Sequence, residues 1–404
     1  MDNAVDLLFK HIRWYSEGAE GCGDIRIGRG RIREKGQGLA PRRRDRLVDG
    51  SGYLALPGLI NGHDHLDLNL FPRLGKPPYP NVYAWGRAIY HPDQPPLCDL
   101  LRVPLADRLW WSAYKQLLSG VTTVVHHDPY HPRVFRRSFP VKVLKRYGWS
   151  HSLGYSDDLA ATFARSRGRP FILHAAEGVD QRAADEIGRL DRLGVLAANT
   201  VLVHAIALSN QAIRTLAERQ VSVVWCPSSN QYLYGQTAPV DALKGKVRVT
   251  LGTDATLSGP PTLWDELRTA LGTGLAGPDE LLMMVTATAA SVFGLTDGRG
   301  TLRRDAPADL LLLPDAGASA PETLMASTPA SVSLVLIDGR PRLADPAWAE
   351  RLDLGASNTF VEGLPRWMTG ALQTLRARMA RLVDATILSR NPLWTLLEEE
   401  IPVL

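Results

Sequence analysis

Cysteine is scarce in this chain: three thiols in 404 residues, Cys22, Cys98 and Cys226, far apart and never in a Cys-x-x-Cys pair. That excludes a disulfide framework and a thiolate zinc site. Long hydrophobic runs are missing as well, and no stretch reaches the roughly 18 apolar residues of a membrane span. The opening Met1-Asp2-Asn3-Ala4-Val5-Asp6 has no positively charged, apolar leader, so a cytoplasmic protein without membrane contact is expected. Charge of one sign is not in large excess either, at a formal +4. The basic clusters, Arg42-Arg43-Arg44 with Arg46 and Arg133 with Arg136 and Arg137, stand without a recognition motif. They read as solvated faces, and no nucleic-acid partner is expected. What is present, 45% hydrophobic and 22% charged residues, suits a globular chain with one large domain and a smaller one.

Against that background the run Leu56-Pro57-Gly58-Leu59-Ile60-Asn61-Gly62-His63-Asp64-His65 stands out. An apolar segment ends in two imidazoles one residue apart. If it is a strand, alternation points His63 and His65 to the same side, where both can reach one ion at roughly 2.0–2.1 Å. Three further β-branched or aliphatic runs end in candidate ligands. They are Phe171-Ile172-Leu173-His174 (followed by Glu177), Thr200-Val201-Leu202-Val203-His204, and Val247-Arg248-Val249-Thr250-Leu251-Gly252-Thr253-Asp254. Stretches with helical periodicity separate them, which is how a parallel α/β barrel places functional groups at the C-terminal ends of its strands.

Eight strand-like runs lie near residues 56–65, 120–127, 140–146, 150–155, 170–177, 200–206, 221–227 and 247–254. Amphipathic helices fit most gaps, as at 181–193, 209–218 and 263–271, but the third gap is too short for one. Alternating apolar and polar residues with frequent glycine, before residue 55 and again at 308–313 and 332–340, predict strands at both ends of the chain. The expected architecture is a distorted TIM (β/α)₈ barrel over 56–302. A small β-sandwich domain would be built from both termini, 1–55 and 303–345, and a helical tail would cover 346–404, packed on the barrel or on another subunit in a possible homo-oligomer.

The chain resembles the amidohydrolase superfamily, in the branch of cytosine deaminase, S-adenosylhomocysteine deaminase and the triazine hydrolases. The resemblance rests on Pro57-Gly58-Leu59-Ile60-Asn61-Gly62-His63-Asp64-His65, Gly120-Val121-Thr122-Thr123-Val124, His174-Ala175-Ala176-Glu177, Leu202-Val203-His204, Cys226-Pro227-Ser228-Ser229-Asn230, Leu251-Gly252-Thr253-Asp254 and Ala306-Pro307-Ala308-Asp309-Leu310. It implies that His63, His65, His174 and Asp254 hold one divalent metal ion, zinc or alternatively iron. It also implies that Glu177 shuttles protons and that His204 polarises the substrate or stabilises the tetrahedral intermediate. The fourth run, 150–156, lacks the lysine that bridges two ions in some relatives, which favours a single ion; Lys142 and Lys145 keep the other arrangement open.

The chemistry needs these residue types in its own right. A cation with open positions lowers a water's pKa towards about 7. Asp254 can take a proton beside it, Glu177 can move one to a ring nitrogen, and neutral His204 can donate a hydrogen bond to the attacked centre. Trp225 stands where many relatives carry a histidine, either removing a polar group from the mouth or filling core. The long aromatic connection from Asp67 to His91 is placed to cover a small-molecule substrate, with Asn69 and Trp85 as contacts. Within the cluster His126-His127-Asp128-Pro129-Tyr130-His131, alternation turns one of the first two imidazoles inward; His127 is expected as a substrate contact. The reaction expected is hydrolytic deamination of an amino-substituted nitrogen heterocycle. Hydrolysis of a cyclic amide or imidazolone at the same site is the alternative, and a non-catalytic barrel scaffold the rival of another class.

Overall fold

The computed structural model describes residues 6–156 and 158–397; the outermost parts of the expected segments 1–55 and 346–404 lie outside the described residues. A run of four leucines explains how its two modules meet. Leu310–Pro314 lies in a ten-stranded sheet, antiparallel to Tyr53–Pro57 on one side and to Leu334–Ile337 on the other. Leu310 and Leu312 face a core with Phe9, Ile12, Ile25, Ile27 and Trp348. Leu311 and Leu313 face the main core beneath the barrel. A strand buried on both faces needs no polar alternation, which is why this one reads as unbroken leucine. The sheet draws Asp6–Ser16, Ala19–Gly28, Arg31–Gly36, Asp45–Asp49 and Tyr53–Pro57 from the start of the chain, and its remaining strands from beyond residue 309. The β-sandwich is therefore built from both termini.

Between these segments runs a parallel, barrel-like α/β core. Its strands are β1 (Leu59–Asp64), β2 (Val121–His126), β3 (Lys142–Val143), β4 (Gly148–Ser152), β5 (Phe171–Ala175), β6 (Thr200–His204), β7 (Ser222–Trp225) and β8 (Arg248–Leu251). β1 to β3 form one sheet and β4 to β8 another. The break falls at the short third gap: β3 keeps only two residues, and β4 ends at Ser152 before a 3-10 turn, Leu153–Tyr155. On the other side β8 returns to β1, where the amides of Thr253 and Asp254 donate to the carbonyl of His63 at 3.0 and 3.1 Å. Gly252 permits that approach, since a Cβ there would lie 2.7 Å from the backbone nitrogen of His63.

The helices follow the expected periodicity with local breaks. Asn210–Glu218 is capped by Ser209 and Leu263–Gly272 by Thr262, whereas the expected helix at 181–193 is divided into Gln181–Ala184 and Glu186–Arg192. The tail departs further from its expected helical form. Thr359–Val361 and Leu364–Met368 make a hairpin that joins the sandwich sheet. Its turn, Glu362-Gly363, has φ of 50° and 75°, the two positive values of a type I′ turn, and glutamate is an inconspicuous first residue for it. Beyond it, Leu372–Ala380 and later helices lie on the barrel helix Leu105–Leu118, with Arg378 paired to Asp107 and the rings of Trp394 and Trp111 5.4 Å apart. No helix among the described residues is long and apolar enough to cross a membrane.

A buried polar cluster joins β1, that barrel helix and the turn after β8. Lys115 Nζ donates to Asp64 Oδ2 and Asn69 Oδ1, both at 2.8 Å, and to the carbonyl of Asp254 at 3.0 Å. Asp64 also accepts from Gln116, Thr253 and Asn69. Removing one partner of so buried a pair leaves an uncompensated charge, at a cost of about 3–5 kcal/mol. Lys115→Met is therefore expected to lower the denaturant midpoint by that equivalent. A loss below about 1 kcal/mol, the level of an exposed pair, would show that the cluster does not anchor the strand ends.

Candidate active site

The residues singled out by sequence meet at one end of the barrel. His63 lies in β1 and His65 just beyond it, His174 in β5, His204 at the end of β6, and Glu177 and Asp254 in the turns after β5 and β8. Alternation along β1 sends Asp64 the other way, into the Lys115 cluster. Ala176, His204, Ala205 and Asp254 have φ of 51°, 71°, 48° and 56°. Left-handed conformations at non-glycine residues are strained and gather at functional sites.

Hydrogen bonds fix the tautomers of three imidazoles. His65 Nδ1 donates to Asp128 Oδ2 at 2.7 Å, and His174 Nδ1 to the carbonyl of His151 at 2.7 Å. His127 Nε2 donates to the carbonyl of Ser150 at 2.9 Å, which leaves its Nδ1 to accept from His63 Nδ1 at 3.3 Å. Carbonyl and carboxylate oxygens only accept, so the Nε2 atoms of neutral His63, His65 and His174 present lone pairs. They converge: His174 Nε2 is 3.3 Å from that of His63 and 3.4 Å from that of His65. Asp254 Oδ1 lies 3.6 and 3.8 Å from the same two nitrogens.

A tetrahedral ion with bonds of about 2.0–2.1 Å holds its donors about 3.3 Å apart. The donor set therefore fits a metal, and Asp128, the His151 carbonyl and His127 supply the outer hydrogen bonds that orient ligating histidines. His63, His204 and Asp254 form an overlapping set of possible ligand atoms, all within 4.8 Å of one another.

Charge in this region is finely divided. Burial holds the pKa of His63 down at about 4 and that of His174 well below its usual value. Burial also opposes charge on His65, but Asp128 and Asp254 outweigh it and raise its pKa to about 10, so its Nε2 binds a proton unless a metal ion takes that place. The carboxylates thus favour positive charge at the point where the lone pairs meet. Asp254 is itself buried, yet the imidazoles keep its pKa well below the usual range. Its Oδ2 accepts from Ser229 and Ser258, leaving Oδ1 towards the histidines.

Above the cluster is a cavity of about 720 Å³, lined at its base by His65, His174, Glu177, His204 and Asp254. Glu177 Oε1 accepts from Tyr234 at 2.8 Å and lies 3.6 Å from His204 Nε2, while Oε2 is buried without a partner in the protein. Burial raises the Glu177 pKa. His204 Nδ1 is paired with Asn230 Oδ1 at 2.8 Å. Neutral His204 therefore offers a lone pair at Nε2 and donates from there only when it holds both protons, which corrects the expectation of a neutral donor.

Trp85 lines the cavity as expected, but His127 and Asn69 do not. His127 is stacked behind His174, with ring centroids 4.2 Å apart, and Asn69 is held by Asp64, Lys115 and the amide of Thr256. Trp225 fills core and donates to Thr237. Lys142 pairs with Asp309 and Asp338, and neither it nor Lys145 reaches the cavity. Sequence reasoning passed over Asp128, Tyr234, Asn230 and Ser229. Asp128, Asn230 and Ser229 lay in quoted motifs without being singled out, and nothing local to Tyr234 signals a partner 57 residues away.

Comparison with known proteins agrees with this layout. The model of the Amidohydrolase family matches residues 150–342. A 5-methylthioadenosine/S-adenosylhomocysteine deaminase of Moorella thermoacetica is 25% identical over 337 residues, 67% of this chain and 75% of that protein. A 5'-deoxyadenosine deaminase of Methanothrix thermoacetophila is 27% identical over 338 residues, 72% of this chain and 81% of its own. Among solved structures, a zinc-bound adenosine deaminase from Xanthomonas campestris superposes with a TM-score of 0.68 at 20% identity, covering 93% of this chain and 99% of that one. Atrazine chlorohydrolase from Arthrobacter aurescens TC1, complexed with zinc, gives 0.68 at 18% identity with the same coverage. These two likenesses carry the fold.

The donor set leads to a measurable expectation. Protein purified without chelator should contain about one divalent ion per chain by elemental analysis, and His63→Ala/His65→Ala should lose it. Unchanged metal content in that variant would reject the assignment of these imidazoles.

Proposed function

We propose that this chain, whose residues 150–342 match the Amidohydrolase family model, is a metal-dependent hydrolase of that family that deaminates an amino-substituted nitrogen heterocycle. The observation that carries this reading is the convergence of three Nε2 lone pairs and Asp254 Oδ1 beside a buried Glu177 oxygen that has no partner. We assign His63, His65, His174 and Asp254 as ligands of one divalent ion. Nitrogen-rich donors with one carboxylate suit zinc, with iron as the alternative. Such an ion supplies a water acidic enough to attack at neutral pH. The small-molecule substrate enters the cavity above it. We also propose the division into a sandwich (1–55 and 303–345), a barrel (56–302) and a tail (346–404), with the tail hairpin completing the sandwich sheet.

The chain's own groups account for the protons. Glu177 holds its proton at neutral pH more readily than an exposed carboxyl does, because burial disfavours its charge. From the cavity floor its Oε2 delivers that proton to the ring nitrogen as the oxygen adds to the amino-bearing carbon, and Glu177 recovers a proton from the attacking water. Asp254 takes the second water proton and passes it to the departing amine, so one water yields a ring carbonyl and ammonia. His204, held in place through Nδ1 by Asn230, faces the new oxygen with Nε2. Tyr234 fixes the orientation of Glu177 from the side away from the substrate.

General acid–base catalysis contributes about 10²–10⁴-fold. Glu177→Gln is therefore expected to retain the metal and slow ammonia release by that factor, and chelation of the parent protein should stop release until metal is restored. Full turnover by Glu177→Gln would reject the shuttle. A substrate opened at a ring amide without ammonia would replace deamination by the alternative hydrolysis.

A further inference from the structure

The cavity has two parts of opposite character. At the strand ends its surface is polar: His65, His174, Glu177, His204 and Asp254, with Asp128 held by His65 at 2.7 Å and His151 against the ring of His174 at 4.9 Å. The connection between β1 and β2 supplies most of the remaining wall, and it is hydrocarbon: Leu68, Phe71, Val82, Trp85, Ile89 and Leu97. Polar atoms near that wall are already engaged. Trp85 Nε1 donates to the carbonyl of Leu74 at 3.2 Å, and the Asn81 side chain is divided between the amide of Ala84 and Asp180. The remaining polar lining residues, Arg87, Tyr90 and Tyr155, are exposed, Tyr90 by 70% and Tyr155 by 54%.

At about 720 Å³ the cavity is in the range that encloses a ligand of drug size, roughly 300–1,000 Å³. The polar floor is small, so a flat heterocycle placed on it leaves its substituent against the apolar wall. A sugar buried against Leu68, Phe71, Val82, Trp85, Ile89 and Leu97 would give up water and find no partner on those side chains, whereas an alkyl or aryl group would gain contact. Resting on the deaminase reading of the floor, we propose that the heterocycle taken by this chain carries a bulky apolar substituent, alkyl or aryl, seated against Trp85 and its neighbours, and not a sugar. The two curated relatives named above are by name deaminases of adenosine derivatives, so the proposal separates this chain from them at the wall and not at the floor.

The test uses two matched ligand pairs on metal-loaded protein. They are 9-benzyladenine against adenosine, and a diaminotriazine bearing an isopropylamino group against one bearing a 2,3-dihydroxypropylamino group. Equilibrium binding reads the wall and ammonia release reads the floor. An apolar pocket discriminates against an added hydroxyl by about 10²-fold. The apolar member of at least one pair is expected to bind more tightly by that factor, with a negative heat-capacity change. Trp85→Ala should cut the preference by about tenfold. The proposal is overturned if neither pair shows the preference, or if Trp85→Ala leaves it intact. Preferred binding without ammonia from any ligand upholds the apolar wall and removes the deaminase reading. Ammonia released with no apolar preference in binding does the reverse.

Discussion

Three imidazole nitrogens and a carboxylate oxygen in which His174 and Asp254 each lie 3.3–3.8 Å from both His63 and His65 repel unless something positive lies between them. Much of the barrel's end serves to keep them there. Each ring has its other nitrogen committed, to Asp128, to the carbonyl of His151, or to His127 and through it to Ser150. None can turn aside without leaving a buried polar atom unpaired, at a cost of about 1–3 kcal/mol. The convergence is therefore built into the protein before any ion arrives, and the price is met by the packing of the whole core.

That convergence also depends on a second buried cluster that performs no chemistry. Lys115 ties β1, the helix Leu105–Leu118 and the turn carrying Asp254 through Asp64, Asn69 and the Asp254 carbonyl. The pair is almost fully enclosed, with 1% and 0% of the two side chains exposed. A buried ion pair is weak evidence for net stability, but it admits few alternative geometries. Here it fixes the register between β1 and β8, so that His63, His65 and Asp254 face one point.

Period-two alternation made the histidine pair legible: His63 and His65 are one residue apart at the end of a strand, and their shared direction follows from geometry alone. The same rule turns Asp64 away, yet its partner Lys115 lies 51 residues further on, a separation no local pattern encodes. The barrel order and both halves of the sandwich were readable for a similar reason, since each depends on short apolar runs. β3, reduced to Lys142–Val143, was less legible because Lys142 answers to Asp309 and Asp338 in the sandwich rather than to the barrel. His127 and Asn69 were placed near the site correctly but in the wrong layer. Sequence gives proximity along a strand or loop, whereas whether a side chain meets solvent or a neighbour depends on the elements packed over it.

The long β1–β2 connection shows how floor and wall remain distinct yet coupled. The polar groups on the strand ends are held by the barrel, while the wall rides on a loop, the part of such folds that varies most freely. This loop is fastened at several points: Leu74 to the carbonyl of Leu257, Tyr79 to that of Leu233, and Val82 to that of Glu177 itself. Tyr83 donates to Glu186 Oε1, and the other oxygen of Glu186 accepts from the amide of Ala176, one residue before Glu177. The wall helix Val82–Ile89 is thus bonded on two sides to the segment that carries Glu177. A change of side chain on its apolar face alters what the cavity accepts. A shift of its backbone moves Glu177 as well, so new specificity is accessible by substitution at the wall far more readily than by rebuilding the loop.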